Sequence, residues 1–129
     1  KPLVRYKESS YFFRLTKYVD AVTRAIESDT LQVRPSARRN EILSKLKGWD
    51  QDLSISRSSL AWGIPMPSDP SHVVYVWIDA LSNYITALGY PEKTDRLDTF
   101  WPVDVHMIGK EILWFHAFYW PAMLLAISP

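Results

Sequence analysis

The chain has 129 residues, 47% of them hydrophobic, which is enough to bury one apolar core. Its net charge of +1 gives no overall attraction to nucleic acid, and the lack of cysteine excludes disulfides and thiolate zinc sites within these residues. The apolar stretch over residues 114–127 is too short to span a membrane and contains Pro121. We therefore expect a soluble, cytoplasmic protein, with an organelle as the open alternative.

Two helices are predicted in the first third of the chain. Apolar residues recur with a period near 3.6 over residues 14–27, which predicts one helix with a single apolar face. A second helix is predicted to follow Pro35, with Ser36 as its N-cap and Gly48 as its end. Its predicted buried residues are Ile42, Leu43 and Leu46.

Basic residues cluster on this second helix and around it. Glu41 interrupts the cluster, and the pattern fits either a solvated helix face or a patch that faces tRNA. The members of the cluster are Arg34, Arg38, Arg39, Lys45 and Lys47.

Short strands and a proline-rich connection are predicted next. Residues 53–56 alternate as a strand does, and three prolines within residues 65–70 predict an extended connection. Strand character resumes at Val73 and is followed by a predicted helix over residues 80–88, for which Asp79 is a natural N-cap. A catalytic carboxylate is the alternative role for Asp79.

Two segments, residues 75–84 and 104–116, have the same order of apolar strand, turn and helix. Two such units would form half of a parallel sheet, so the predicted fold class is α/β. Helical spacing places four residues of each unit on one side of its helix, and together they can form either ordinary core or the walls of a small aromatic cavity. The two sets are Trp77, Ala80, Leu81 and Tyr84, and Ile112, Phe115, His116 and Tyr119. Pro121 predicts a kink after the second set.

Several strings resemble the catalytic domain of the methionyl-tRNA synthetases, which are class I aminoacyl-tRNA synthetases. They are YVWIDALSNY, DVHMIGKEILWFHAFYWP, Asp52–Arg57 and Trp62–Pro67, in the family's order. Residues 7–15 also resemble the segment that follows the family's metal-knuckle insertion. The resemblance implies the second half of a Rossmann-like parallel sheet, preceded by a mainly helical connective-peptide segment. The implied domains are residues 1–52, the tail of the connective insertion, and residues 53–129, the second half of the catalytic domain.

The same resemblance implies roles for individual residues. Arg57, the predicted catalytic residue, would form an ion pair that orders the amino-acid site, although an exposed surface arginine would fit the sequence equally well. His116 matches a position in the methionine pocket, whereas a lone histidine among apolar residues is also compatible with a hydrogen-bonded core position. The implied methionine-binding residues are Trp77, Ala80, Leu81, Tyr84, Ile112, Phe115 and His116.

The turn at residues 106–110 would lie beside ATP. Gly109 would let the backbone pass close to the nucleotide, and Glu111 stands where the family most often has an aspartate facing the ribose hydroxyls. A favourable interaction with the helix dipole is the alternative for Glu111. The turn superficially resembles the family's His-Ile-Gly-His signature, but Lys110 replaces the second histidine and the strand is a later one.

The implied reaction is the activation of methionine by ATP with Mg²⁺, followed by transfer to tRNA(Met). We expect the 129 residues alone to be inactive, because they contain neither the His-Ile-Gly-His segment nor the Lys-Met-Ser-Lys-Ser-type loop. No metal site is predicted within them, and a knuckle zinc would lie upstream of Lys1. A synthetase for leucine, isoleucine or valine and a non-catalytic module with an aromatic binding face are the alternatives.

Overall fold

The computed structural model describes residues 7–128, so residues 1–6 and 129 of the two predicted domains lie outside the described residues. The helices are α1 (Val19–Glu27), α2 (Ser36–Leu46), α3 (Val76–Thr86), α4 (Asp95–Phe100) and α5 (Trp120–Ile127). The strands are β1 (Phe12–Phe13), β2 (Leu53–Ser54), β3 (Ser56–Arg57), β4 (Pro65–Met66) and β5 (Asp69–Val74). A 3₁₀ turn at Leu15–Tyr18 leads into α1. The "final helix" comprises a 3₁₀ turn at Lys110–Ile112, a π-helical segment at Phe115–Tyr119 and α5.

Helices α1 and α2 form the predicted hairpin, and their apolar faces meet. The side chains of Val22, Ile26, Ile42 and Leu46 are buried, while Leu43 is only partly buried. Gly48 follows α2 with a φ of +76°, a left-handed conformation that favours glycine. The 3.6-residue period is therefore confirmed as the signal for this part of the fold.

Both predicted N-caps are wrong. Ser36 is the first residue of α2, because Pro35 takes the capping position with an extended backbone. Helix α3 begins at Val76 rather than Ala80, which places Asp79 in its first turn, where its charge still favours the helix dipole. The buried apolar side chains of α3, Leu81 and Ile85, lie in its later turns, whereas Val76 at its start is 62% exposed.

The proline-rich connection is a β-hairpin rather than the predicted extended linker. Strands β4 and β5 pair antiparallel around a turn at residues 67–68, and β5 begins at Asp69, before the predicted start at Val73. Pro65 is tolerated because it lies on an edge strand, where the register shifts between Pro65 and Met66. Pro67 is in the turn, and Pro70 lies in the part of β5 that does not pair with β3. Strand β3 pairs with the other side of β5, with Ser56 opposite Val74.

Every strand pair within residues 7–128 is antiparallel, so the predicted parallel pairing is not present there. Residues 101–109 form no strand, contrary to the strand predicted to begin at Asp104, before the turn at residues 106–110. A parallel pair needs a second strand delivered alongside by a crossover, and no described strand lies beside this segment. Val105 and Met107 are accordingly 70% and 93% exposed.

The final helix is buried on two sides. Its first side joins the apolar faces of α1 and α2, and its second side packs against α3. The core shared with α1 and α2, here called the first core, contains these buried residues of the final helix: Leu113, Ala117, Phe118 and Ala122. The core shared with α3, here called the second core, contains Phe115, Tyr119, Trp120, Met123 and Leu124. The first core contains residues from both sides of the predicted domain boundary between residues 52 and 53. The division of the chain into two domains stays a prediction.

Pro121 is preceded by an interruption of the α-helical pattern, which lies within the second aromatic set rather than after it as predicted. The backbone N–H of Trp120 donates to the carbonyl of Phe115, five residues earlier, instead of to the fourth. Pro121 has no N–H to donate, and in an α-helix its ring would collide with the carbonyl of Ala117. A π-helical turn is the wider arrangement that accommodates the ring.

The exposed apolar segment yields a prediction for the isolated chain. We expect the 129-residue chain to bind a hydrophobic dye and to aggregate, because Val105, Met107 and the unpaired backbone around them face solvent. Replacing Val105 and Met107 together by serine should lower the dye fluorescence. A monodisperse monomer with a sharp thermal transition and no dye binding would contradict this expectation.

Candidate active site

The two predicted aromatic faces meet, and Trp77 stacks on Phe115 at their point of contact. The ring centroids lie 3.8 Å apart with an interplanar angle of 15°, which is a stacked pair. Trp77 is in the first turn of α3, and Phe115 opens the π-helical segment of the final helix. The rings are in direct contact, so no ligand side chain fits between them as they stand.

Beneath this stack lies a tightly packed apolar floor. Leu81 and Ile85 of α3 are buried against Trp120 of the final helix. The floor fixes the distance between the two helices, since a packed interior leaves little room for shifts. Leu81 thus packs together with Trp77 and Phe115, on the face of α3 predicted from its spacing.

Trp77, Phe115, Tyr84 and His116 are together called the cluster. Tyr84 and His116 form its polar end. The Tyr84 hydroxyl lies 2.8 Å from Nε2 of His116, and Nδ1 of His116 lies 3.0 Å from the carbonyl oxygen of Ile112. A carbonyl only accepts, so Nδ1 carries the proton and Nε2 of the neutral ring accepts from the Tyr84 hydroxyl. In this arrangement both hydrogens are already donated within the protein. Neither side chain then has a free hydrogen for a thioether sulfur.

The remaining predicted pocket residues lie at the edge of the cluster. Ala80 is exposed on α3, and Ile112 is half-buried and contributes its carbonyl oxygen to His116. The structure therefore brings Trp77, Tyr84 and Phe115 together with His116, but leaves Ala80 outside the buried contacts.

Arg57 is held at the end of β3 by neutral partners. Its guanidinium lies 4.3 Å from the ring centroid of Tyr75, the residue immediately before α3. One guanidinium nitrogen donates to the Ser54 hydroxyl at 2.9 Å and to the Ser56 carbonyl at 2.6 Å. No carboxylate lies within 4 Å of Arg57 among the described residues. Its other donors are therefore available to an anionic partner.

Gly109 and Glu111 are both exposed at the start of the final helix. Gly109 has a φ of −68°, which any residue adopts, so backbone conformation does not explain the glycine. A Cβ added there would lie 3.1 Å from a carboxylate oxygen of Glu111. A side chain at residue 109 would thus crowd the carboxylate that we predicted to face the nucleotide.

His106 lies beside the cluster and is a site residue that the sequence analysis missed. Its ring centroid lies 4.4 Å from that of Tyr84 and 5.9 Å from that of His116. Its Nε2 is buried without a hydrogen-bond partner among the described residues. Burial, together with nearby His116, lowers the pKa of His106 below its usual value of 6.5. His106 begins the turn that was predicted to lie beside ATP, and this position could have identified it as a site residue.

An open cleft lies beside Tyr84 and His106. Its volume is about 410 Å³, and apolar side chains form most of its walls. The other lining residues are Leu88, Phe100, Trp101, Val103, Val105 and Met107.

Two acidic residues pair with four of the five basic residues of the cluster on and around α2, which keeps an excess of positive charge. Asp29 pairs with Arg34 at 3.2 Å and with Arg39 at 3.8 Å. Glu41 pairs with Arg38 at 2.6 Å and with Lys45 at 3.8 Å. These exposed pairs favour the solvated helix face over a patch that faces tRNA.

Within residues 7–128, no group of three or more histidine, aspartate or glutamate side chains is placed to hold a metal ion. In the same range, no helix has both the length and the apolar character needed to cross a membrane.

Comparison with known proteins places the whole chain in one class. The family described as tRNA synthetases class I (M) matches residues 1–129. The chain is similar to the methionine–tRNA ligase of Halalkalibacterium halodurans, with 49% identity over 98% of this chain and 20% of that protein. It is also 52% identical to the methionine–tRNA ligase of Brucella suis biovar 1, over 97% of this chain and 24% of that protein.

The fold agrees with a solved structure from the same class. The methionyl-tRNA synthetase of Mycobacterium tuberculosis bound by methionyl-adenylate matches with a TM-score of 0.88 and 46% identity. The match covers 94% of this chain and 24% of that one. The chain thus belongs to the class I methionyl-tRNA synthetase family, and the predicted α/β fold class is confirmed. It spans between a fifth and a quarter of the length of these relatives.

The half-buried imidazole of His106 predicts a pH dependence of stability. A histidine whose pKa is lowered by folding binds its proton more readily when unfolded, so stability falls as the pH drops below 6.5 towards the folded pKa. In the full-length protein that contains this chain, the fall in melting temperature between pH 7.5 and 5.5 should be smaller for His106→Gln than for the wild type. Equal falls in the two proteins would show that His106 does not contribute.

Proposed function

We propose that this chain forms part of a methionyl-tRNA synthetase and carries most of its methionine pocket. The observation that supports this most is the meeting of Trp77, Tyr84, Phe115 and His116 at one place in a chain of this family. Sequence spacing alone was compatible with ordinary core. The partly exposed polar end at Tyr84 and the unbonded Nε2 of His106 favour a ligand site instead.

The methionine side chain would pack against the outer side of the Trp77–Phe115 stack. Ala80 and Tyr84 are exposed there and would form its neighbouring walls. A thioether beside aromatic ring edges gains about 0.3 to 1.5 kcal/mol per contact. With the hydrogens of Tyr84 and His116 already donated, shape and dispersion would provide most of the selection.

In the proposed reaction, the methionine carboxylate attacks the α-phosphate of ATP, and pyrophosphate leaves. The protein contributes alignment and charge stabilisation rather than a nucleophile. Arg57 would supply its available guanidinium donors near the amino-acid site. Gly109 and Glu111 would lie against the ATP ribose, with Mg²⁺ accompanying the nucleotide.

The aminoacyl group would then pass to tRNA(Met). Four of the five members of the basic cluster are paired with Asp29 or Glu41, which favours a solvated helix face for this cluster. We propose a cytoplasmic location, as for the general protein-synthesis machinery.

Replacing Trp77 by alanine in the full-length synthetase tests the pocket. We expect a loss of about 3 kcal/mol in transition-state binding, on the order of 100-fold in kcat/KM, because both the wall and the sulfur contact disappear. The loss should appear in the KM for methionine in pyrophosphate exchange and not in the KM for ATP.

Trp62→Ala is the matched control, because Trp62 is 91% exposed and lies outside the cluster. It should change neither KM by more than about twofold. A rise in the KM for ATP alone in the Trp77 variant would place Trp77 outside the amino-acid pocket.

A further inference from the structure

Tyr75 joins Arg57 to the helix that carries Trp77. It occupies the capping position of α3 with an extended backbone, two residues before Trp77. Its backbone N–H donates to the carbonyl of Ile55 at 2.8 Å, which ties the start of α3 to the segment containing Arg57. The backbone of Tyr75 is thus held beside the strand that carries Arg57.

The Tyr75 ring also contacts Arg57 directly. The Arg57 guanidinium lies over its face, with Cζ 4.3 Å from the centroid, well within the 6 Å range of a cation–π contact. The ring of the residue that caps α3 is therefore in contact with the arginine at the end of β3.

The other partners of Arg57 leave its orientation incompletely fixed. The Ser54 hydroxyl and the Ser56 carbonyl both accept from the same guanidinium nitrogen. These two bonds hold only that end of the planar group, and the ring stacked on its face restricts the plane over its full extent. Nε and the second terminal nitrogen remain without a partner among the described residues.

We infer that Tyr75 is a positioning residue for Arg57. Its ring fixes the guanidinium plane, so that the donors left free by Ser54 and Ser56 stay beside the first turn of α3. Those donors suit a carboxylate, the group by which the amino-acid site would be ordered. The inference rests on the proposed function, since it assigns Arg57 to the methionine site.

The test is a double-mutant cycle in the full-length synthetase. Tyr75→Leu should raise the KM for methionine in pyrophosphate exchange by about 2- to 30-fold, the range of a cation–π contact, with the KM for ATP unchanged within twofold. Tyr75→Phe keeps the ring and should behave as the wild type. Adding Tyr75→Leu to Arg57→Ala should cause no further rise in the KM for methionine.

The outcomes separate the inference from the proposed function. If Arg57→Ala raises the KM for methionine but Tyr75→Leu does not, the positioning role is wrong and the pocket assignment stands. The positioning role is also wrong if Tyr75→Leu acts equally with and without Arg57. An Arg57→Ala enzyme that activates methionine normally would contradict the role of Arg57 in the proposed function, and the inference with it. Tyr75→Met fills the same space without an aromatic face and gives the same test if the leucine variant does not fold.

Discussion

Burial of the final helix on two sides is the constraint on which the structure depends. Its first side completes the core that α1 and α2 begin, and its second side holds α3 at contact distance through Trp77 and Phe115. A helix that is apolar all round needs such covering on both sides. The candidate site exists because α3 and the final helix cannot separate without exposing the floor formed by Leu81 and Trp120.

Pro121 adds a second constraint to the same helix. The π-helical turn before it contains Phe115, His116 and Tyr119, the residues that face α3 or the site. Wide turns of this kind are frequent at functional sites, because they change which side chains a helix presents to its neighbours. The proline therefore affects the site without contacting a ligand, and its sequence position alone predicted an interruption but not the form that it takes.

The sequence predicted the features that depend on local periodicity. The faces of α1 and α2, and the meeting of Trp77 with Phe115, follow from residues spaced three and four apart. The predictions for the start of α3 and for the hairpin around residues 67–68 were wrong, because both features depend on contacts with other segments that local propensity does not report. The turn that contains Gly109 pointed to His106, but its contact with Tyr84 joins two separate segments of the chain, which no local pattern reveals.

The methionine assignment depends on a sulfur atom lying against the aromatic cluster. Crystals of the full-length synthetase that contains this chain, soaked with selenomethionine, would locate that atom by the anomalous scattering of selenium. We expect the selenium peak within about 5 Å of the rings of Trp77, Tyr84 or Phe115, the usual distance of a chalcogen from an aromatic ring. A peak elsewhere, for example in the cleft beside Phe100 and Val105, would contradict the assignment of the pocket to these residues.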